Sequence, residues 1–149
     1  MLRALQTRPR MRLTLLPLAA LLACFNATDT TAGELRIGSF HYTARSTAGR
    51  PLLVGRITLT EAADSTVTGT WEIRWGPGAD TTTLVGPQVG SGTLLGRRDG
   101  SVLLLDLNPG NADHNVILQA HPHARGYAGI WDWTTFIGPR TSGTFVATD

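Results

Sequence analysis

The chain has 149 residues, with thirteen arginines, no lysine, eleven acidic residues and a formal net charge of +2. Four of the arginines precede residue 13, and the part after position 24 carries nine arginines against all eleven acids, so no basic surface remains there to neutralise the phosphates of a nucleic acid. A single cysteine excludes an internal disulfide framework, and the fold must rest on its apolar core.

The N-terminal stretch is a leader by its pattern. Arg3, Arg8, Arg10 and Arg12 precede an apolar run from Leu13 to Ala23, interrupted at Pro17. A membrane-spanning helix needs about 20 apolar residues, and this run of eleven is the length of a signal-segment core instead. It ends in Leu21-Leu22-Ala23-Cys24, which places the only cysteine directly after a small residue. These four residues resemble the lipobox of bacterial lipoproteins. The resemblance implies cleavage after Ala23, a diacylglycerol on the Cys24 sulfur, and a mature protein held on a membrane of the cell envelope. Phe25, where an acid would favour inner-membrane retention, leans toward the outer membrane. The alternative is an ordinary secretory signal cut elsewhere, which leaves Cys24 a free thiol.

Residues 1–23 are therefore expected to be the signal segment. Residues 24–33 are a lipidated cysteine and a tether, reading FNATDTTAG from Phe25 to Gly33. Residues 34–149 are long enough for one domain and too short for two.

No segment of that domain combines apolar residues at helical spacing with freedom from Gly, Pro and β-branched runs. Period-two alternation recurs instead. Val67, Gly69, Trp71, Ile73 and Trp75 share one face, while Thr66, Thr68, Thr70, Glu72 and Arg74 share the other, as a strand with one buried and one wet face requires. The same reading turns Leu53, Ile57 and Leu59 inward, then Leu103, Leu105 and Leu107, then Tyr127, Gly129, Trp131 and Trp133. Turn signals fall at Ala62 to Ser65, Arg98 to Ser101, Asn108 to Asn111, His121 to Ala124 and Gly138 to Arg140. Eight strands result: Leu35–Ala44, Leu52–Glu61, Thr66–Trp75, Val89–Arg97, Val102–Asn108, Asn115–His121, Tyr127–Phe136 and Thr141–Thr148. Hairpin connections favour an eight-stranded antiparallel up-and-down barrel, whose closure removes exposed edges. A two-sheet sandwich is the alternative.

Gly69-Thr70-Trp71, Gly92-Thr93-Leu94, Gly129-Ile130-Trp131 and Gly143-Thr144-Phe145 each set a glycine two residues before a large apolar residue. Both then point inward, and the missing side chain leaves room for a neighbouring ring. The two G-x-W segments and the eight-strand meander resemble the avidin and lipocalin group of calycin-like barrels. That implies an interior able to take one small ligand, but two strands precede a signature that opens the first strand in lipocalins, so no binding residue carries over. The G-x-W repeats are also similar to small bacterial protease-inhibitor barrels, which would imply an interaction module.

The candidate ligand-binding set is Trp71, Trp75, Tyr127, Trp131 and Trp133, all expected on inward faces, with Trp75 and Trp133 toward strand ends where a mouth would be. An eight-stranded barrel is either filled by such side chains or just wide enough for one small ligand. His121 and His123 flank Pro122 two apart, but His114 lies too far along the same strand to join them, so no metal site is expected. Nor is a cofactor, because no phosphate-cradling loop is present. No nucleophile elbow or H-E-x-x-H motif occurs either, Asp106 and Asp132 fall on outward faces, and the chain is expected not to be an enzyme. The thirteen-residue stretch from Gly76 to Gln88 is the longest gap between strands, and a gap of that length in a small domain suggests a lid or contact loop. The expected partners are the membrane, through Cys24, and either a small apolar ligand or another envelope protein.

Overall fold

Alternation of apolar and polar residues commits each of these segments to lying in a sheet with one face dry, and a sheet that closes on itself covers all the dry faces at once and leaves no edge. The computed structural model describes residues 35–61 and 66–149. The leader, Cys24, the tether and the turn read at Ala62 to Ser65 lie outside the described residues. The strands are β1 (Gly38–Ser46), β2 (Pro51–Glu61), β3 (Thr66–Trp75), β4 (Gly90–Asp99), β5 (Val102–Asp106), β6 (His114–His123), β7 (Gly126–Thr135) and β8 (Gly138–Thr148). Each pairs antiparallel with its neighbour in the chain, and β8 returns to β1 to complete a closed barrel. The sandwich alternative is set aside.

The inward register holds along the chain. Leu53, Ile57, Leu59, Val67, Trp71, Ile73, Leu103, Leu105, Leu107, Tyr127 and Trp131 are all buried, together with Phe40, Tyr42 and Ala44 of β1 and Phe145 and Ala147 of β8. Tyr42 stacks on Phe145 with ring centroids 5.7 Å apart, and Phe40 meets Tyr127 edge-on at 5.6 Å.

The meander gives the barrel two unlike ends. At the entry end, Leu35 to Ile37 precede β1, and the Tyr127 hydroxyl accepts from the Arg36 amide at 2.8 Å and donates to the Arg36 carbonyl at 3.0 Å. Arg36 Nη1 also donates to the Ala124 carbonyl at 3.1 Å. This strap explains why β1 starts at Gly38 rather than at Leu35: the preceding residues bond to the end of the barrel, not to a neighbouring strand. The loop end carries the β1–β2, β3–β4, β5–β6 and β7–β8 connections.

Two turns fall elsewhere than their sequence signals place them. β6 runs on through Pro122 to His123, so its turn is Ala124-Arg125. Gly138-Pro139-Arg140 is the start of β8, not a turn, and the β7–β8 loop is Phe136-Ile137. Gly138, at φ 110°, takes the positive-φ position beside that loop, which frees the tip itself for residues without turn propensity.

The glycines have two uses. Gly92 lies directly opposite Trp71 and Gly143 opposite Trp131 across the strand pairs, and a Cβ on Gly92 would come within 2.9 Å of the Trp71 ring. These two leave room for rings, as expected, and the ring is on the adjacent strand; at Gly143 a Cβ would also overlap the Arg45 backbone carbonyl. Gly69 and Gly129 do something else. A Cβ there would overlap the backbone carbonyl of Thr58 or Gln119 respectively, so these glycines let neighbouring strands approach where the sheet is sharply coiled.

Candidate functional site

Trp71 and Trp131, midway along β3 and β7, are buried in the barrel interior. Each indole N–H donates to a backbone carbonyl: Trp71 Nε1 to Leu107 at 2.7 Å and Trp131 Nε1 to Arg45 at 3.1 Å. A buried tryptophan whose one donor is satisfied by main chain is held as a structural strut. Tyr127 sits at the entry end, occupied with Arg36 and Phe40. Burial raises its hydroxyl pKa, with the Arg36 amide and charge acting in the opposite direction. The five aromatic candidates therefore do not form one site.

The β3–β4 connection closes the loop end. It leaves β3 through Gly76, whose amide donates to the Leu52 carbonyl at 2.8 Å. It then makes a turn on Asp80, whose carboxylate accepts from the Thr82 hydroxyl at 2.6 Å and the Thr82 amide at 3.0 Å. These two bonds hold the exposed Asp80 carboxyl below its usual range, the Thr82 hydroxyl contributing most. From Leu84 the chain turns inward. Val85 and Gln88 are buried, and Gln88 is the only polar residue so deeply covered among the described residues. Its amide nitrogen donates to the Val85 carbonyl at 2.7 Å, and its oxygen accepts from the Tyr42 hydroxyl at 3.2 Å. The Tyr42 phenol, desolvated at the barrel axis, has its pKa pushed far above the ordinary tyrosine value and stays protonated as a donor. The Gly76–Gln88 stretch thus inserts an apolar residue and an amide among the buried residues of the core.

Trp75 and Trp133 do lie together at this end, as their positions at the ends of β3 and β7 imply. They line an open cleft of about 500 Å³ with Leu84, Pro87, Asn111 and His114. The His114 ring stacks on Trp133 at 6.2 Å and 28°. Gly86, at φ 68°, lies flat against the Trp133 ring, and any side chain there would overlap the indole. Trp133 Nε1 is buried without a hydrogen-bond partner, as is Asn115 Oδ1. The loop is further tied to β8 by the Thr141 hydroxyl, which donates to the Leu84 carbonyl at 2.6 Å.

Around the same end stand three large apolar side chains that the core does not use: Phe136 at 88% exposed, Ile137 at 74% and Leu84 at 62%. Alternation cannot single them out, because they belong to no strand; their sequence signal is only that Phe-Ile occupies a hairpin tip where Asn, Asp or Gly is usual. Arg140 lies three residues from the tip on β8, whereas Arg45 pairs with Thr144, seven residues along β8 from Ile137, and Arg50 bonds to Ser46 at the same level. Arg45 Nη1 donates to the Gly49 carbonyl at 3.0 Å and Arg140 Nε to the Thr135 hydroxyl at 3.2 Å.

The remaining polar candidates are dispersed. His121 and His123 are exposed on the outer face and His114 lies at the opposite end of the same strand; among the described residues no three His, Cys, Asp or Glu come together as metal ligands. His41 is exposed on β1. Asp106 faces outward, half-buried, accepting from the Asn108 amide at 2.8 Å and Asn115 Nδ2 at 3.2 Å. Desolvation raises its pKa, with the Asn108 bond opposing. Asp132 accepts from Gln119 at 3.3 Å.

A scan against protein-family models finds no match, and searches of curated proteins and of solved structures likewise find none.

Proposed function

We propose that this chain is a non-catalytic binding module anchored to a bacterial envelope membrane through lipidated Cys24, and that it engages its target with the outside of the loop end. The observation that carries this reading is the occupancy of the barrel axis. Trp71 and Trp131 are tied to main-chain carbonyls, and the Tyr42–Gln88 pair fills the space beneath the β3–β4 loop. A carrier needs an interior that a ligand can enter, whereas this interior is built as a scaffold that fixes what surrounds the loop end. The exposed Leu84, Phe136 and Ile137 supply the apolar centre of a binding surface, and isolated clusters of this kind on small proteins mark interaction sites.

A second reading has one observation in its favour. The buried, unpartnered Nε1 of Trp133 would suit a flat apolar ligand with a carbonyl acceptor, seated in the Trp75–Trp133 cleft after the Leu84–Pro87 segment shifts.

Photocrosslinking in a bacterial host addresses the first reading. A benzophenone amino acid at Phe136 is expected to give a discrete adduct, while the same group at Thr60, on the outer face near the entry end, gives none. Cys24→Ser is expected to move the protein from the membrane pellet to the soluble fraction. Equal, diffuse labelling at both positions would contradict binding at the loop end, and a Cys24→Ser protein that stays in the pellet would contradict the anchor.

A further inference from the structure

Independently of the loop-end reading, we infer that the outer wall of β4, β5 and β6 is the contact between two copies of this chain, related by a two-fold axis that sets Arg97 of each copy against Asp106 of the other.

The wet face of a barrel strand is ordinarily polar, and β3 obeys, with Thr66, Thr68, Thr70, Glu72 and Arg74 outward. β5 does not. Its run Val102-Leu103-Leu104-Leu105 is apolar on both faces, the composition of a strand covered on both sides, yet only Leu103 and Leu105 are buried in the barrel. Leu104 lies on the outer face, partly exposed, between Arg97 and Gln119. The next row across the sheet runs Leu95, Asp106, Ile117, and Leu95 is 46% exposed. These side chains line a groove of about 400 Å³. Apolar residues scattered singly are ordinary on a surface, whereas a contiguous set marks an interaction site.

Charge chooses the occupant. Arg97 pairs with Leu104 and Leu95 with Asp106, so the two charged residues hold opposite corners of the groove and the two leucines hold the others. Arg97 is exposed and has no carboxylate within ion-pair distance among the described residues. Asp106 accepts from the Asn108 amide and from Asn115 Nδ2 but from no cation, and Asn115 Oδ1 on the same face is buried with no donor. A cationic partner would be opposed by Arg97 and an anionic one by Asp106. A surface that carries an unpaired base and an unpaired acid in one groove complements itself, which is the requirement for an isologous contact.

The register admits that contact. Neighbouring strands lie about 4.8 Å apart and alternate residues of one strand about 6.8 Å apart, so the four corners form a compact rectangle. A two-fold axis along its Leu95–Leu104 diagonal lays each leucine on its own copy and brings each Arg97 within side-chain reach of Asp106 in the other. The guanidinium has five donors for that carboxylate and for Asn115 Oδ1. Two curved walls meeting over three strands cover less than the about 800 Å² per partner of a standard stable interface. The pair therefore belongs to the weak class and is trapped rather than isolated.

Photocrosslinking of the full chain in a bacterial host tests this. A benzophenone amino acid replaces either Thr68, which pairs with Leu95, or His41, exposed on β1. An adduct of twice the chain's mass is expected from position 68 and not from position 41. Arg97→Glu and Asp106→Arg are each expected to lower its yield at least about tenfold, because like charges then face each other twice. Co-expressing the two, with tags of different length, is expected to restore a mixed adduct, since both contacts then join an acid to a base. Leu95→Arg and Leu95→Glu repeat the test at an exposed site on the axis, without touching the Asp106 hydrogen bonds: each alone should lose the adduct and the two together should regain it. Recovery on mixing shows that the variants are folded, and the Leu95 mixture decides if Asp106→Arg does not fold. No doubled-mass adduct from position 68, an adduct of another mass there, unchanged yields in the single variants, or a Leu95 mixture that does not recover each overturns the pairing. Adducts from Phe136 are read separately, so the loop-end reading stands or falls without this result.

Discussion

Trp131→Ala is expected to destabilise the protein by about 3 to 5 kcal/mol, the range for removing a fully buried large aromatic side chain and leaving a cavity. A domain of this size has about 5 to 15 kcal/mol in all, so the variant should be close to unfolding at 37 °C. Three effects act together. The ring is 0% exposed, its N–H holds the Arg45 carbonyl, and it covers the backbone at Gly143, so alanine removes apolar contact, a hydrogen bond and the cover of a glycine at once. Collapse into the void is hindered because the surrounding side chains sit on closed strands. Thr144→Ala, on the outer face one residue from Gly143, should cost less than about 0.5 kcal/mol. Denaturant melts of the two variants check the register directly, because a one-residue slip would exchange their effects.

Gly129→Ala should be among the most damaging single-carbon additions, at about 3 kcal/mol or more, since overpacking commonly costs about 1 to 3 and here the obstacle is backbone. A Cβ at this position meets the Gln119 carbonyl and not the end of a movable side chain, so relief requires parting β6 from β7. Gly110→Ala is the matched comparison. Nothing stands within 4 Å of a Cβ there and its φ is not positive, so alanine should be neutral or stabilise by up to about 1 kcal/mol by restricting the unfolded chain. Thermal melts in which both variants fall together would mean that chain entropy, not strand approach, accounts for the glycine.

The fold was legible because period two is a direct statement about a sheet with one dry face. The segment from Thr66 to Trp75 has the same bounds in sequence and structure, and the inward residues of β2, β5 and β7 are the buried ones. The misplaced turns share a cause. Pro122 and the Gly138-Pro139 pair carry strong breaker signals, yet both are accommodated inside ladders, and the tip that does turn is made of Phe and Ile. Gln88 was invisible as a core residue, because nothing local marks an amide that will satisfy a buried phenol 46 residues away. The aromatic set could not be divided by alternation alone: Trp71, Trp131 and Trp133 all face inward by phase, and only the partners of their indole nitrogens separate strut from rim. Leu84, Phe136 and Ile137 were missed as candidates for the complementary reason, since they lie outside every periodic segment.

The filled interior is tested most directly by tryptophan emission from a chain carrying Trp75→Phe and Trp133→Phe, in which only Trp71 and Trp131 of the four tryptophans remain. Titrated with fatty acids, retinoids, haem and aromatic vitamins, this chain is predicted to keep an unchanged, blue-shifted emission at every concentration, because both reporters are buried and hydrogen-bonded to main-chain carbonyls. A saturable shift or quench of Trp71 or Trp131 by any of these compounds would contradict the scaffold interior and establish the barrel as a carrier.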